Sequence, residues 1–342
     1  MATTAALIWG EYALCVVIIG IAGVKLTDYG DAIADKTGMG GSWVGLVLIA
    51  TVTSLPELAA GVTAAGFALL PDIAAGDVFG SCVYNLTLLA VLDLFSRRAP
   101  LLAKAQRQHM MSAAFGIALI GVAAVGLIAG QAGLSRLAGH LSWSAPMLLL
   151  LYAVGIRTLY QYQEQEVEDF TEQKADRYAG ISLRSISLRY AVAASAVVAA
   201  GIWLPYVSED LAGVMGWNQT FTGTMFTALS TSMPELVVTL AALRIGAVNM
   251  ALGNVLGSNM FNLLVLAVDD AVYLHGSIFD AVSTDHLISA VMAMLMSAIV
   301  IIAVLIRPRT RVLGTCSWAS LALLAAFAAN ASLLYLLGGA GP

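Results

Sequence analysis

The chain has 342 residues, of which 60% are hydrophobic and only 11% charged. Soluble domains carry about 25% charged residues, so a soluble enzyme of this length is excluded. The net charge of −5 offers no basic footprint for a nucleic acid.

Apolar runs of membrane-spanning length recur along the chain, and ten spans are expected. They lie near residues 7–26, 43–69, 72–95, 109–130, 142–161, 186–208, 219–243, 246–268, 286–306 and 313–338. The opening MATTAALIWG lacks a basic stretch, so the first span is expected to be retained rather than cleaved. Cys15, Cys82 and Cys316 all fall in apolar runs and form no pairing framework.

The second expected span carries TSLPEL at residues 53–58, and the third carries GDVFGSCVYN at 76–85. A basic loop follows, with Arg97, Arg98, Lys104 and Arg107. After the fifth span comes the one hydrophilic segment, 158–185, with an acidic run from Glu164 to Glu172. That run reads as a solvated linker, and the segment is too short to fold a domain of its own. The seventh span then carries STSMPEL at 230–236, and the eighth GNVLGSNMFN at 253–262. Asp269, Asp270, Asp280 and Asp285 are expected in an acidic loop after it.

The two halves repeat each other. Thr53, Ser54, Pro56 and Glu57 meet Thr231, Ser232, Pro234 and Glu235 at an offset of 231 − 53 = 178. The second motif, Asp93 with Asp270, and His109 with His286 align at 253 − 76 = 177. The expected organisation is a first repeat at 1–157 (motifs 50–57 and 76–85), a linker at 158–185, and a second repeat at 186–342 (motifs 228–235 and 253–262). Five spans per repeat is an odd number, so the second copy must be inverted in the bilayer. With the N-terminus outside, 15 of the 16 basic residues fall on the inner side and only Arg136 outside, as the positive-inside rule requires. The fold class expected is therefore an all-α membrane protein of ten helices in two inverted five-helix repeats. Its broken helices should meet at the midplane, the architecture of secondary transporters. The setting expected is the cell's inner membrane, with a cytoplasmic linker. The bilayer and small cations are the partners; no nucleic acid, obligatory protein partner or cofactor is implied.

The motifs carry a specific chemistry. Pro56 and Pro234 have no N–H, so the carbonyls of Val52 and Ser230 lose their helical partners. In hydrocarbon a free carbonyl costs several kcal/mol unless something takes it up, and a cation can do so. Ser54 with Glu57, and Ser232 with Glu235, share a helix face at a spacing of three. Ser81 with Asn85, and Ser258 with Asn262, share one at a spacing of four. Brought together, these faces make a cage of carboxylates, amides, hydroxyls and carbonyls without sulfur or imidazole. Such a cage suits hard cations, Ca²⁺ better than Mg²⁺. Gly76, Gly80, Gly253 and Gly257 read as packing residues.

These motifs resemble the two repeats of the cation/calcium exchanger superfamily, in its sodium/calcium exchanger branch. The family pattern is roughly G-T-S-x-P-E followed by G-N-x-x-G-S-N-x-x-N, once in each half. The resemblance implies a Ca²⁺ site at Glu57 and Glu235 with oxygens of Thr53 and Thr231. It implies Na⁺ subsites at Ser54, Ser81, Ser232, Ser258 and both glutamates, with carbonyls near Ala50 and Ala228. Asn85 and Asn262 would complete the middle of the cage. The chain departs from the pattern at Asp77 and Cys82, where the family has Asn; Asn254 and Asn259 keep it in the second half. Asp77 is expected either to accept a helix–helix hydrogen bond or to attract cations at the outer entrance. The amide of Asn262, where potassium-dependent members tend to carry Asp, argues against potassium co-transport. The function expected is Na⁺/Ca²⁺ antiport. An H⁺/Ca²⁺ exchanger of the same fold is the alternative, and a cation channel a more distant one. No ATP-binding motif is present, which argues against a pump.

Overall fold

The computed structural model describes residues 2–36, 52–95, 100–166, 182–244, 248–308, 310–312 and 316–338. It is nearly all helical. In the first half α1 spans Ala2–Lys36, α2 Leu55–Ala68, α3 Pro71–Phe95, α4 Gln108–Gln131 and α5 Ser144–Glu166. In the second half α6 spans Leu183–Met215, α7 Gln219–Thr231, α8 Met233–Arg244 and α9 Val248–Val272. A single turn, α10, follows at Ile278–Ala281, then α11 at His286–Ile306 and α12 at Trp318–Gly338. Among the described residues seven helices are long and apolar enough to cross a membrane, and an eighth if the bent pair α7–α8 counts as one span.

Local chemistry sets several boundaries. The side chain of Ser182 caps α6 by accepting from the Ser185 amide, and Gly216 ends that helix at φ 69°. Asn218 accepts from the Phe221 amide and starts α7. Such side-chain acceptors satisfy amides that have no partner within the helix.

Burial sorts the helices into inner and outer. In the apolar stretches of α3 and α9, 83% and 78% of residues are buried, against 28–44% for the other spanning helices. Outer faces expose large apolar side chains such as Leu7, Leu188, Leu305 and Leu336, as lipid-facing surface should. One continuous core joins α3, α4, α9, α11 and α12 around Phe79, Leu86, Met260 and Phe279. Smaller clusters between α1 and α6, around Ile19, Leu26 and Leu204, hold that pair together. The broken helices α2 and α7–α8 pack onto the central α3–α9 pair.

Several expectations need correction. The chain is not purely helical: Arg136–Ala138 and Leu141–Ser142 form a small antiparallel ribbon, turned through Gly139 at φ 60°. The linker expected at 158–185 starts as an extension of α5 to Glu166, and α6 is already helical at Leu183. The stretch Gln161–Glu166 is rich in Gln and Glu, good helix formers that let a helix outrun its apolar part. Asp269 and Asp270, expected in a loop, belong to the last turns of α9 and are fully buried. Most of the linker and residues 43–51 of the second expected span lie outside the described residues, as does Ala50.

Candidate cation site between the broken helices

Both proline motifs interrupt their helices in the same way. Ser54 precedes α2 at φ −91°, ψ 13°, and Ser232 separates α7 from α8 at φ −80°, ψ 7°. At the second break the axis bends by 46°. A proline two residues further on forbids the normal helical hydrogen bond, so the turn opens at the serine. At each break the serine hydroxyl reaches the other half of the chain.

The two breaks meet across α3 and α9. The Ser54 hydroxyl reaches Glu235 Oε1 at 3.2 Å and the Ser258 hydroxyl at 3.3 Å, and Ser258 in turn donates to the same Glu235 oxygen at 3.2 Å. On the other side the Ser232 hydroxyl donates to Ser81 at 3.0 Å. Ser81 lies 3.5 Å from the Thr231 hydroxyl, and Thr231 donates to Asp77 Oδ1 at 2.7 Å. Thr53, Glu57, Asn85, Ala228 and Asn262 are buried in the same region.

These contacts are reciprocal. Ser54 corresponds to Ser232 and Ser258 to Ser81, so the two serine pairs are one contact with the halves exchanged. Cys82 and Asn259 occupy equivalent positions and touch each other: the Asn259 amide donates to the Cys82 carbonyl at 3.2 Å, and the Cys82 thiol lies 3.8 Å from the Asn259 carbonyl. His109 meets Asn249 at 3.2 Å and His286 meets Asp72 at 2.9 Å, again an equivalent pair, since 249 − 72 = 177.

Buried polar groups normally find partners, yet this centre breaks the rule. Both oxygens of Glu57, Oε2 of Glu235, Oδ2 of Asp77 and both amide atoms of Asn85 and Asn262 have no hydrogen-bond partner among the described residues. An unpartnered carboxylate deep in apolar surroundings is costly, and among the described residues no salt bridge from Lys or Arg reaches these. Among the described residues no three His, Cys, Asp or Glu side chains converge as a metal cluster, so any cation here would rely on neutral oxygens beside the two glutamates. The concentration of orphan oxygens is what a hard cation requires.

Asp77 accepts from the Thr231 hydroxyl and so links α3 to α7. It is 1% exposed. Gly76 and Gly80 allow close approach: a methyl on Gly76 would lie 2.9 Å from the Gly223 Cα, and one on Gly80 2.7 Å from the Ala228 Cβ.

Sequence reasoning left Asp93 and Asp270 out of the site, and both prove to be anchors. Asp93 accepts from the Leu101 and Ser317 amides and the Ser320 hydroxyl. Asp270 accepts from the Ser142 and Ile278 amides and the Ser277 hydroxyl. Their shared offset was the signal for a matched structural role.

A family model described as sodium/calcium exchanger protein matches residues 7–161 and 188–336. The chain belongs to the sodium/calcium exchanger family. Among relatives, the putative antiporter CaxA of Alkalimonas amylolytica is 26% identical over 65% of the chain and 67% of that protein. The sodium/calcium exchanger MaX1 of Methanosarcina acetivorans is 44% identical over 71 residues, 20% of each chain. Two solved structures share the fold. The H⁺/Ca²⁺ exchanger CAX superposes with a TM-score of 0.68 at 14% identity, covering 97% of this chain and 86% of that one. The sodium–calcium exchanger NCX_Mj superposes at 0.61 with 20% identity, covering 96% and 98%. As a member of this family with repeated apolar helices, the chain is an integral, multi-pass membrane protein.

Proposed function

We propose that the protein is a secondary antiporter that exchanges Na⁺ for Ca²⁺ by alternating access, without potassium. The observation that carries this reading is the cluster of unpartnered oxygens on Glu57, Glu235, Asn85 and Asn262 at the meeting of the broken helices. Glu57 and Glu235, with Thr53 and Thr231, would hold Ca²⁺. Ser54, Ser81, Ser232, Ser258 and the two glutamates, with carbonyls near Ala50 and Ala228, would hold Na⁺. Ten spans in two inverted repeats supply the framework, and the reciprocal contacts support that arrangement. The basic residues favour an outside N-terminus and a cytoplasmic linker, in the cell's inner membrane.

The charges make exchange obligatory. Without a cation, two ionised glutamates would have to cross a low-dielectric region unpaired, which is strongly disfavoured. One Ca²⁺ or a set of Na⁺ ions neutralises the pair, so only loaded cages change sides. Alternation between the two loaded states is antiport.

A second reading, exchange of protons for Ca²⁺, draws support from the likeness to the CAX fold and from the carboxylate pair itself. The four serine hydroxyls favour sodium, because a proton needs no shell of oxygens. The test is ⁴⁵Ca²⁺ uptake by proteoliposomes under separate Na⁺, pH and K⁺ gradients. Uptake is expected with an outward Na⁺ gradient alone. Uptake driven only by a pH gradient would select the second reading, and a requirement for K⁺ would refute potassium independence. Gradient-independent flux at channel rates would refute antiport altogether.

A further inference from the structure

The helix pair α1–α6 carries none of the residues assigned to the cage, yet it packs on both proline breaks. The repeat extends into this pair. The offset of 178 that aligns the two proline motifs also aligns Tyr12 with Tyr190, Leu26 with Leu204, and Gly23 with Gly201, since 23 + 178 = 201. Gly23 lies against the break of the second half: a methyl there would overlap the Pro234 ring, standing 2.9 Å from its Cβ. Gly201 lies against the break of the first half. A methyl there would stand 2.8 Å from the Ala59 Cβ and 3.3 Å from the Pro56 carbonyl oxygen. Each glycine therefore meets the broken helix of the half to which it does not belong.

These contacts fall beside the central glutamates. Pro234 immediately precedes Glu235, and Pro56 and Ala59 flank Glu57. A proline ring, a backbone carbonyl and a helical Cβ cannot swing aside as the end of a long side chain does. Room for a side chain at 23 or 201 would have to come from a shift of the break or of the helix packed on it. The closeness is local. One turn before Gly23, a methyl on Gly20 would stand 3.9 Å from Met233, an ordinary contact, and one on Gly213 of α6 would meet nothing within 4 Å. The pair also bonds to the broken helix α7. The Tyr12 hydroxyl donates to the Phe226 carbonyl at 2.9 Å, and the Ser208 and Thr227 hydroxyls lie 2.8 Å apart.

We propose that Gly23 and Gly201 are positioning residues for the cage. By letting α1 and α6 seat closely on the break of the opposite half, they hold Glu235 and Glu57 where both can face one cation. The proposal rests on reading that cage as the transport site. Neither glycine touches the ion; each acts through the proline motif beside it. A break pushed aside carries its glutamate with it. Ca²⁺ takes its oxygens at about 2.3–2.6 Å, and a site whose ligands are displaced by about 0.5 Å loses productive geometry.

The test is calorimetric Ca²⁺ binding to the purified full-length chain in detergent, alongside ⁴⁵Ca²⁺ uptake. Gly23→Ala and Gly201→Ala should each raise the half-saturating Ca²⁺ by about tenfold, while maximal uptake at saturating Ca²⁺ is held. Gly20→Ala and Gly213→Ala bring the same gain in helix propensity without the close contact, and should keep wild-type affinity. Combining Gly201→Ala with Ala59→Gly moves the methyl from one side of the contact to the other and should restore affinity. Wild-type affinity in folded Gly23→Ala or Gly201→Ala, with only a lower thermal midpoint, would overturn the proposal, since the glycines would then serve packing alone. Equal weakening in Gly20→Ala or Gly213→Ala, or failure of the Ala59→Gly exchange to restore binding, would overturn the contact as the cause. Loss of folding in both Gly23→Ala and Gly201→Ala would count against it in the same way. A wild type that binds Ca²⁺ but does not move it under a Na⁺ gradient refutes the transport reading alone. The binding comparison still decides the role of the two glycines.

Discussion

At the scale of residues, the unequal treatment of the two central glutamates is informative. Glu235 Oε1 accepts from Ser54 and Ser258 at 3.2 Å each, whereas Glu57 has no hydrogen-bond partner among the described residues. Both are fully buried, so both oppose folding unless a cation offsets their charge. Glu57→Gln or Glu235→Gln keeps the shape and removes one charge. Each is expected to abolish Na⁺-driven Ca²⁺ uptake, while the thermal midpoint without Ca²⁺ is held or raised. Near-normal uptake in either variant would refute their assignment as ligands. The motif residues were legible in the sequence because a helix breaker and a carboxylate are anomalous in an apolar span, and the anomaly occurs twice. Asp269 was not legible. Beside Asp270 it reads as part of an acidic loop, and only the structure shows it buried in the last turns of α9.

Elements explain how so polar a centre is held rigid. The backbone breaks at Ser54 and Ser232 could drift if the helices around them were free to slide. Two matched anchors oppose this. Asp93 ties the end of α3 to the Leu101 turn and to the start of α12. Asp270 ties the end of α9 to α10 and to the strand before α5. Asp93→Ala or Asp270→Ala leaves two buried amides and a hydroxyl without an acceptor, at a cost of about 1–3 kcal/mol for each orphaned group. Either variant should lower the thermal midpoint in detergent clearly more than the matching Asn variant, which keeps one acceptor oxygen. Equal midpoints for the Ala and Asn variants would remove the anchoring role. Helix positions were largely readable from apolar runs, because hydrocarbon demands that a span satisfy its own backbone. Helix ends were not. The extension of α5 to Glu166 and the ribbon at Arg136–Ser142 depend on helix propensity and turn chemistry in polar segments, where hydropathy carries no signal.

For the molecule as a whole, the reciprocal contacts mean that neither half can build the site alone. The Ser54 hydroxyl in the first half is bonded to Glu235 and Ser258 in the second, and Ser232 in the second to Ser81 in the first. The two histidine contacts and the Cys82–Asn259 pair also join one half to the other. The central core is likewise shared, with Phe79 and Leu86 of α3 in one cluster with Met260 and Leu263 of α9. Between Glu166 and Ser182, by contrast, the chain is hydrophilic and contributes no residue to the proposed cage. A protein divided there into two co-expressed halves should therefore reassemble, with the halves co-purifying and Na⁺-driven Ca²⁺ uptake retained. Either half alone should give no uptake and bind no Ca²⁺ at the affinity of the whole. Charge gives the reason: one half brings a single central glutamate without the hydroxyls that face it, and a lone carboxylate with few neutral oxygens is a poor Ca²⁺ site. Saturable Ca²⁺ binding by one isolated half would place the site within that half and break the argument from reciprocity. Loss of function on division, with the halves still bound to each other, would instead give the linker a part in transport.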